Sequence, residues 1–347
     1  MAATKHPDLV TDLVLEGGGV KGIALVGAVA PLVEAGYRFP RIAGTSAGAI
    51  VGSVLAALQK RGEPIAALAD IARTLDYTRF RDRGFPGRYL GPLGFLADGF
   101  SVLFEDGVFE GDYLHDWLKG VLGDLGVETF GDLRTDDAGA DGRIHHAYSL
   151  VVTASDLSRR RLAQLPWDYP EYDLDPDEQP VADAVRASAS IPYFFEPVEL
   201  KGPRGTSTLV DGGLLSNYPI SIFDRMDENP PRWSTIGVRL DSLGIGSPAG
   251  PAGPAGRTGV ERVHGPVSMG VALIETSIEA CQAEHVLDPC NIARSAYVDT
   301  GMVGAIDFRL TPEQQDQLLA AGREAGERFL DGWDYADWLA TCRDTSR

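Results

Sequence analysis

The chain has 347 residues, 44% hydrophobic and 23% charged, an ordinary balance for one large α/β domain or two small ones with a well-buried core. Fifty acidic side chains against 31 basic ones leave a net charge of −19, which excludes the basic footprint of a nucleic-acid binder and opposes contact with an anionic membrane. No apolar run reaches the 18 residues of a membrane span, residues 1–12 carry no signal-peptide pattern, and the expected location is cytoplasmic. Cys281, Cys290 and Cys342 have no metal-ligand spacing; so sparse and odd a set fits a reducing compartment, with a Cys281–Cys290 pairing left open.

In chain order, "LVTDLVLE" (9–16) ends as a short apolar strand and runs into a glycine cluster, followed by a helix over 23–36 that stops at Gly36. "RFPRIA" (38–43) is a second strand, and "AGAIVGSVLAALQKRG" (47–62) is apolar nearly all round, as a buried helix is. This β-turn-α-β-turn-α opening predicts an α/β fold: a three-layer arrangement whose central, mostly parallel sheet has helices on both faces. Residues 73–105 break the pattern with glycines, aromatics and a local excess of arginine, while 111–126 returns to helical spacing. "YSLVVTASDL" (148–157) is a central strand, 180–192 a helix ended by Pro192, 207–211 a strand meeting an Asp-Gly turn, and 234–241 another strand. Residues 242–260, with three PAG units, form a Gly/Pro-rich loop. A helical stretch near 266–287, a strand over 295–300 and a helix from Thr311 to about Phe329 follow, the last with Thr311 as N-cap and Pro312 at the first helical position. Residues 8–330 read as a single domain and 331–347 as a C-terminal tail.

Three places carry chemistry. Gly17-Gly18-Gly19-Val20-Lys21-Gly22 stands between strand and helix, where glycines let backbone N–H groups approach a ligand and the helix N-terminus favours an anion. Gly17, Gly19 and Gly22 fit GxGxxG, the dinucleotide fingerprint, yet the second strand ends in Gly44-Thr45-Ser46 and not in the acid that would hold a ribose. The same loop fits an oxyanion hole with Lys21 adding charge, or a turn that merely packs helix on strand. Gly44-Thr45-Ser46-Ala47-Gly48 is a GxSxG elbow, which holds its serine exposed at a strand-to-helix turn; a serine serving only as helix N-cap is the plain alternative. The proton acceptor is open among His264, His285 and a carboxylate. Asp211 is the best placed, ending a β run with Gly212 and Gly213 clearing space beside it, although Asp-Gly is also a common hairpin turn. To act as base near neutral pH it must be partly desolvated.

Together these stretches resemble the patatin-like phospholipase family, whose pattern is a GGGxKG or GGGxRG loop, a GxSxG elbow and a late DGG. Here they stand in that order as "GGGVKG" (17–22), "GTSAG" (44–48) and "DGG" (211–213), supported by "VVTASDL" (151–157), "VADAVRASASIPYFFEPVEL" (181–200) and "DGGLLSNYP" (211–219). The resemblance implies hydrolysis of lipid acyl esters by a Ser–Asp dyad without histidine, cofactor or metal. Ser46 would be the nucleophile and Asp211 the base, with Gly17, Gly18 and Gly19 as oxyanion hole and Lys21 beside it. Gly44, Gly48, Gly212 and Gly213 would support the motifs. The implied partner is a lipid or ester substrate presented by a membrane or micelle, making the protein peripheral there. Residues 73–105, where arginine mixes with Phe, Tyr and Leu, are the expected lid or interfacial surface, or else a solvated loop. The rival readings are an α/β-hydrolase with a Ser46–Asp211–His triad, a dinucleotide-binding oxidoreductase, and a lipid-binding protein that kept the fold without catalysis.

Overall fold

The computed structural model describes residues 9–76, 79, 111–136, 147–225, 231–241, 288–301, 303–305 and 310–343, with scattered positions between 263 and 277. β1 (Thr11–Leu15) and β2 (Ile42–Thr45) are buried at every position, as strands covered on both faces are. They pair in parallel with Leu13 beside Ile42 and Leu15 beside Gly44. At their amino ends Asp12 of β1 binds Arg41 through an ion pair of 2.6 Å, with both side chains buried. That pair fixes which carboxyl ends lie side by side.

Each of these two strands feeds a helix: α1 (Gly22–Glu34) follows the glycine loop and α2 (Ala47–Arg61) follows the elbow. The next elements are α3 (Ala67–Arg73), α4 (Asp112–Asp124) and β3 (Leu150–Asp156), then β4 (Arg161–Leu165), α5 (Val181–Ser188) and β5 (Val198–Gly202). β6 (Gly205–Asp211), the one-turn α6 (Gly213–Ser216), β7 (Ser234–Asp241), α7 (Pro289–Ala293), β8 (Ser295–Asp299), α8 (Pro312–Gly332) and α9 (Tyr335–Arg343) complete the order. The eight strands form one sheet in the order β5-β6-β3-β2-β1-β7-β8, with β4 also on β3. Five consecutive strands, β3-β2-β1-β7-β8, are parallel, as the sequence suggests for the central sheet, and β6, β5 and β4 join antiparallel, so the sheet as a whole is mixed.

On one face Leu13, Leu15, Ile42, Leu150 and Val238 pack with α1 and α2 into the main core. On the other, Val14, Ala43 and Val151 meet Tyr218, Ile220 and Phe223, over whose ring the Arg41 guanidinium lies at 4.4 Å. α8 lies directly on α1: a Cβ added at Gly27 would meet the Leu319 carbonyl at 2.1 Å, and one at Gly322 the Ala24 carbonyl at 2.0 Å.

Several expectations shift in detail. The helix starting at Val181 ends at Ser188, before Pro192, because the Ser190 hydroxyl turns back to the Arg186 carbonyl at 2.8 Å. The Asp211-Gly212 dipeptide opens α6 instead of a hairpin. β4 and β5 go unmarked in the sequence: "RLAQL" is short, and its polar residues Arg161 and Gln164 stand three apart and break the period-2 alternation of a strand, while β5, at the end of the sheet, is half-exposed along its length. Residues 335–343, within the stretch read as a tail, form a helix tied down by a Cys290–Cys342 disulfide and by Trp338 Nε1 donating to the Cys290 carbonyl at 2.9 Å. Cys290 therefore pairs with Cys342 and not with Cys281, a bond that the expectation of a reducing compartment does not anticipate. Cys281, His264, His285, the Gly/Pro loop 242–260 and nearly all of 73–105 beyond Asp76 lie outside the described residues. Among the described residues no helix is long and apolar enough to cross a membrane.

Candidate active site

The site forms where β1, β2 and β6 end. Ser46 is the hinge between β2 and α2 and has φ 53° and ψ −119°, a conformation that costs a non-glycine residue energy and that the surrounding contacts must hold. They do so closely. A Cβ at Gly44 would meet the Gly48 carbonyl at 2.3 Å, and one at Gly48 the Leu15 carbonyl at 2.3 Å, so only glycine fits at either end of the elbow. The Ser46 N–H donates to Ser188 Oγ at 2.8 Å, and the Ser46 carbonyl accepts from Ala49 and Ile50 to start α2. The serine thus stands at the positive end of a 15-residue helix.

The glycine loop lies against it. A Cβ at Gly17 would come within 3.3 Å of Ser46 Cβ, and one at Gly22 within 3.0 Å of Ala47 Cβ. Gly17 is committed to Asn217: its N–H donates to the Asn217 carbonyl and its own carbonyl accepts from Asn217 Nδ2, both at 3.0 Å. Gly19 has φ +56°, with no room for a Cβ beside the Ala305 carbonyl. Val20 N–H donates to Ala305 and Lys21 N–H to Gly18, whereas the N–H groups of Gly18 and Gly19 make no hydrogen bond among the described residues. Lys21 is buried. Beneath the loop, Glu16 is buried with its Oε2 accepting from Leu240 N–H at 2.6 Å and its Oε1 facing Arg239 Nε at 3.5 Å.

Asp211 closes the third side. β6 carries it antiparallel to β3, opposite Ala154, and its N–H donates to the Ser190 carbonyl at 2.8 Å. Its Oδ1 accepts from Gly213 N–H at 2.7 Å, while Oδ2 is buried without a hydrogen-bond partner. Burial raises the pKa from 3.8 to about 6; the neighbouring Ser46 hydroxyl and the Gly213 N–H pull the other way. Gly212 is pressed on Thr153, where a Cβ would meet the carbonyl at 2.5 Å, and Thr153 Oγ1 in turn meets Thr45 Oγ1 at 2.6 Å. Every residue singled out in the three motifs therefore converges on one edge of the sheet. Of the histidines, only His115 is among the described residues; it pairs with Asp183 at 2.7 Å and does not line the cleft beside Ser46.

That cleft encloses roughly 690 Å³, counting space open to solvent. Its walls are apolar: Ala47, Ile50, Val51 and Val54 along one stripe of α2, Val26 of α1, Leu68 of α3, and Leu114 and Trp117 of α4, with Ser46 and Gly19 at one end. The sequence does not signal Ser188 or Asn217 as site residues, because a small polar residue that closes a helix or directly follows one looks like an ordinary cap or turn.

The patatin-like phospholipase model matches residues 13–224. The chain is 36% identical over 324 residues to the uncharacterized protein YqhO of Bacillus subtilis, covering 93% of this chain and 99% of that protein. It is 28% identical over 234 residues to patatin-like protein 1 of Arabidopsis thaliana, covering 61% of this chain and 50% of the plant protein, and it spans 27% of an NTE family protein of Mycobacterium bovis at 29% identity. Among solved structures it resembles VipD from Legionella pneumophila (19% identity, TM-score 0.48, 92% of this chain and 66% of that one). It also resembles the type III effector ExoU (18% identity, TM-score 0.46, 94% of this chain and 53% of that one). With the matching model spanning the glycine loop, the elbow and the Asp211 turn alike, the chain belongs to the patatin-like phospholipase family.

Proposed function

We propose that the chain is a lipid acyl hydrolase that cleaves fatty-acyl esters through a Ser46–Asp211 dyad and an acyl-serine intermediate. The observation that carries this reading is the buried Asp211 carboxyl, its pKa raised to about 6, beside a serine held on a strained turn at one end of an apolar cleft.

The acyl chain lies along the α2 stripe and brings the ester carbonyl to Ser46. Asp211 accepts the hydroxyl proton as Oγ attacks the carbonyl carbon, and the oxyanion that develops is met by backbone N–H groups of the glycine loop, beside the positive end of α2. The sequence groups Gly17 with Gly18 and Gly19 as donors. Because the Gly17 N–H is already given to Asn217, the donors in this reading are Gly18 and Gly19, with Gly17 as the anchor of the loop. The tetrahedral intermediate collapses, and the alcohol leaves with the proton held by Asp211. Water then attacks the acyl-serine, giving its proton to Asp211; the acid departs and the proton returns to Ser46. No step calls on a cofactor or metal. Lys21 supplies positive charge near the loop.

Labelling with a fluorophosphonate ester probe tests this directly. The parent protein reacts at Ser46, Ser46→Ala does not react, and Asp211→Asn reacts orders of magnitude more slowly while remaining folded. Retained labelling in Asp211→Asn, with loss in His264→Ala or His285→Ala, would sink the dyad; loss in Asp211→Asn and in one of the histidine variants together would assign the triad reading instead.

A further inference from the structure

The exposed apolar surface is unevenly distributed. Four of the large hydrophobic side chains exposed among the described residues, Tyr193, Leu215, Met269 and Leu273, stand on segments that border the site. Leu215 lies in α6, four residues past Asp211. Tyr193 falls between Ile191 and Phe195, which both line the cleft. Residues 269–270, 272–273 and 276–277 are helical, and the backbone of this segment rests on Tyr193, for a Cβ at Gly270 would meet the tyrosine hydroxyl at 2.4 Å. Met269 and Leu273, four apart, share one face of that helix and are 51% and 61% exposed.

Two further features point to what meets this rim. Tyr193 has φ +69°, a strained conformation for a bulky residue, and its side chain stays 44% exposed although its hydroxyl end lies against Gly270, which leaves aromatic surface at the rim. The hydroxyls of Thr276 and Ser277 are folded back onto the Ala272 and Leu273 carbonyls at 2.7 and 2.8 Å, which lowers the cost of leaving water there. The net charge of −19 selects against an anionic surface.

We propose that Tyr193, Leu215 and the Met269–Leu273 helix face dock on a zwitterionic lipid surface. Tyr193 stands between Ile191 and Phe195, which line the cleft, so a lipid surface met there lies next to the cleft wall. The inference rests on the acyl-hydrolase reading and places the docking surface on segments other than 73–105.

Flotation with phosphatidylcholine vesicles tests it without any turnover. The parent protein floats with the vesicles, and the Met269→Asp/Leu273→Asp double variant partitions at least tenfold less. Ile292→Asp, at an exposed apolar position on α7, floats like the parent. The double variant still hydrolyses p-nitrophenyl butyrate, a monomeric ester, at the parental rate, which shows that its fold and site are intact. A parent that ignores the vesicles, a double variant that floats unchanged, or equal loss in Ile292→Asp overturns the docking surface. So does a parent dimer that the double variant converts to monomers with no vesicle binding in either, since the face then belongs to a second copy of the chain. Failure of the parent to hydrolyse any ester sinks the hydrolase reading instead, and flotation still judges the surface.

Discussion

Asn217 holds the Gly17 peptide unit region from two directions, accepting the glycine N–H on its own carbonyl and donating Nδ2 to the glycine carbonyl, each at 3.0 Å. It also joins the Asp211 turn to the glycine loop, since a Cβ at either Gly17 or Gly213 would run into Asn217 Oδ1. The position of the loop is thereby tied to the position of the Asp211 turn.

Truncating the Asn217 side chain cuts the Nδ2 bond and keeps the main-chain one, which leaves the cleft and the carboxyl in place but loosens the loop whose N–H groups are proposed to meet the oxyanion. Asn217→Ala is expected to lower kcat by roughly ten- to a hundredfold, the scale of a misplacement near 1 Å. KM for a short ester stays within about twofold and the acid limb of the pH profile does not move. Asn217→Asp, which keeps the size but not the donor, shows the same loss. Steady-state kinetics on both variants checks this; a rise in KM with kcat preserved would move Asn217 from the loop to substrate binding.

The buried Asp211 carboxyl links activity to stability with a definite sign. In the dyad reading the deprotonated form is the active one, so kcat/KM is expected to rise with pH and level off above about 6. Stability runs the other way. The folded pKa lies above the ordinary 3.8, so between those values the folded chain binds more protons than the unfolded one, and stability falls as pH rises through that window. The penalty is absent below 3.8 and complete above 6, on the order of 3 kcal/mol for a shift of that size. Asp211→Asn is therefore expected to be inactive yet more stable than the parent at pH 8, with the difference vanishing near pH 4. Urea unfolding of both proteins between pH 4 and 8 measures it, and a difference independent of pH would disprove the linkage.

Gly48 faces backbone where Gly17 faces a side chain. An added methyl at Gly48 meets the Leu15 and Glu16 carbonyls at 2.3 and 2.7 Å, and neither atom can move without shifting β1 and the glycine loop together. Gly48→Ala is expected to lose about 1–3 kcal/mol or more in urea unfolding, together with its fluorophosphonate labelling. Gly120→Ala, where a Cβ meets nothing within 4 Å, serves as the silent control.

The contrast between those glycines shows what could be read without coordinates. The elbow, the glycine loop and the Asp211 turn are local signals: residue type and spacing within five or six positions specify a backbone shape, and the strand-turn-helix order places them on a common edge. Ser188 and Asn217 act across 142 and 200 residues of chain, through single hydrogen bonds to Ser46 and Gly17, and such pairings leave no periodicity to find. β4 and β5 are hidden for a related reason. Both join antiparallel at the flank of the sheet, where half-exposed positions admit Arg, Gln, Glu and Lys and blur the apolar pattern. Cys290–Cys342 joins α7 to α9 over 52 positions, and three cysteines alone cannot select the pair.

The cleft makes a prediction about substrate length. Its α2 wall runs from Ser46 through Ala47, Ile50 and Val51 to Val54, a rise of about 12 Å along the helix axis. Each methylene that enters this apolar stripe gains about 0.8 kcal/mol, close to fourfold in kcat/KM, until the stripe is covered. A series of p-nitrophenyl esters of increasing chain length is therefore expected to climb steeply and then level. Val54 is 2% exposed at the far end, so Val54→Phe fills the distal part of the cleft. In that variant the climb stops several carbons earlier, while the shortest esters react at the parental rate because Ser46, Asp211 and the glycine loop are untouched. An unchanged length profile in a folded Val54→Phe variant would mean that the acyl chain takes another path, and the assignment of the stripe would fall with it.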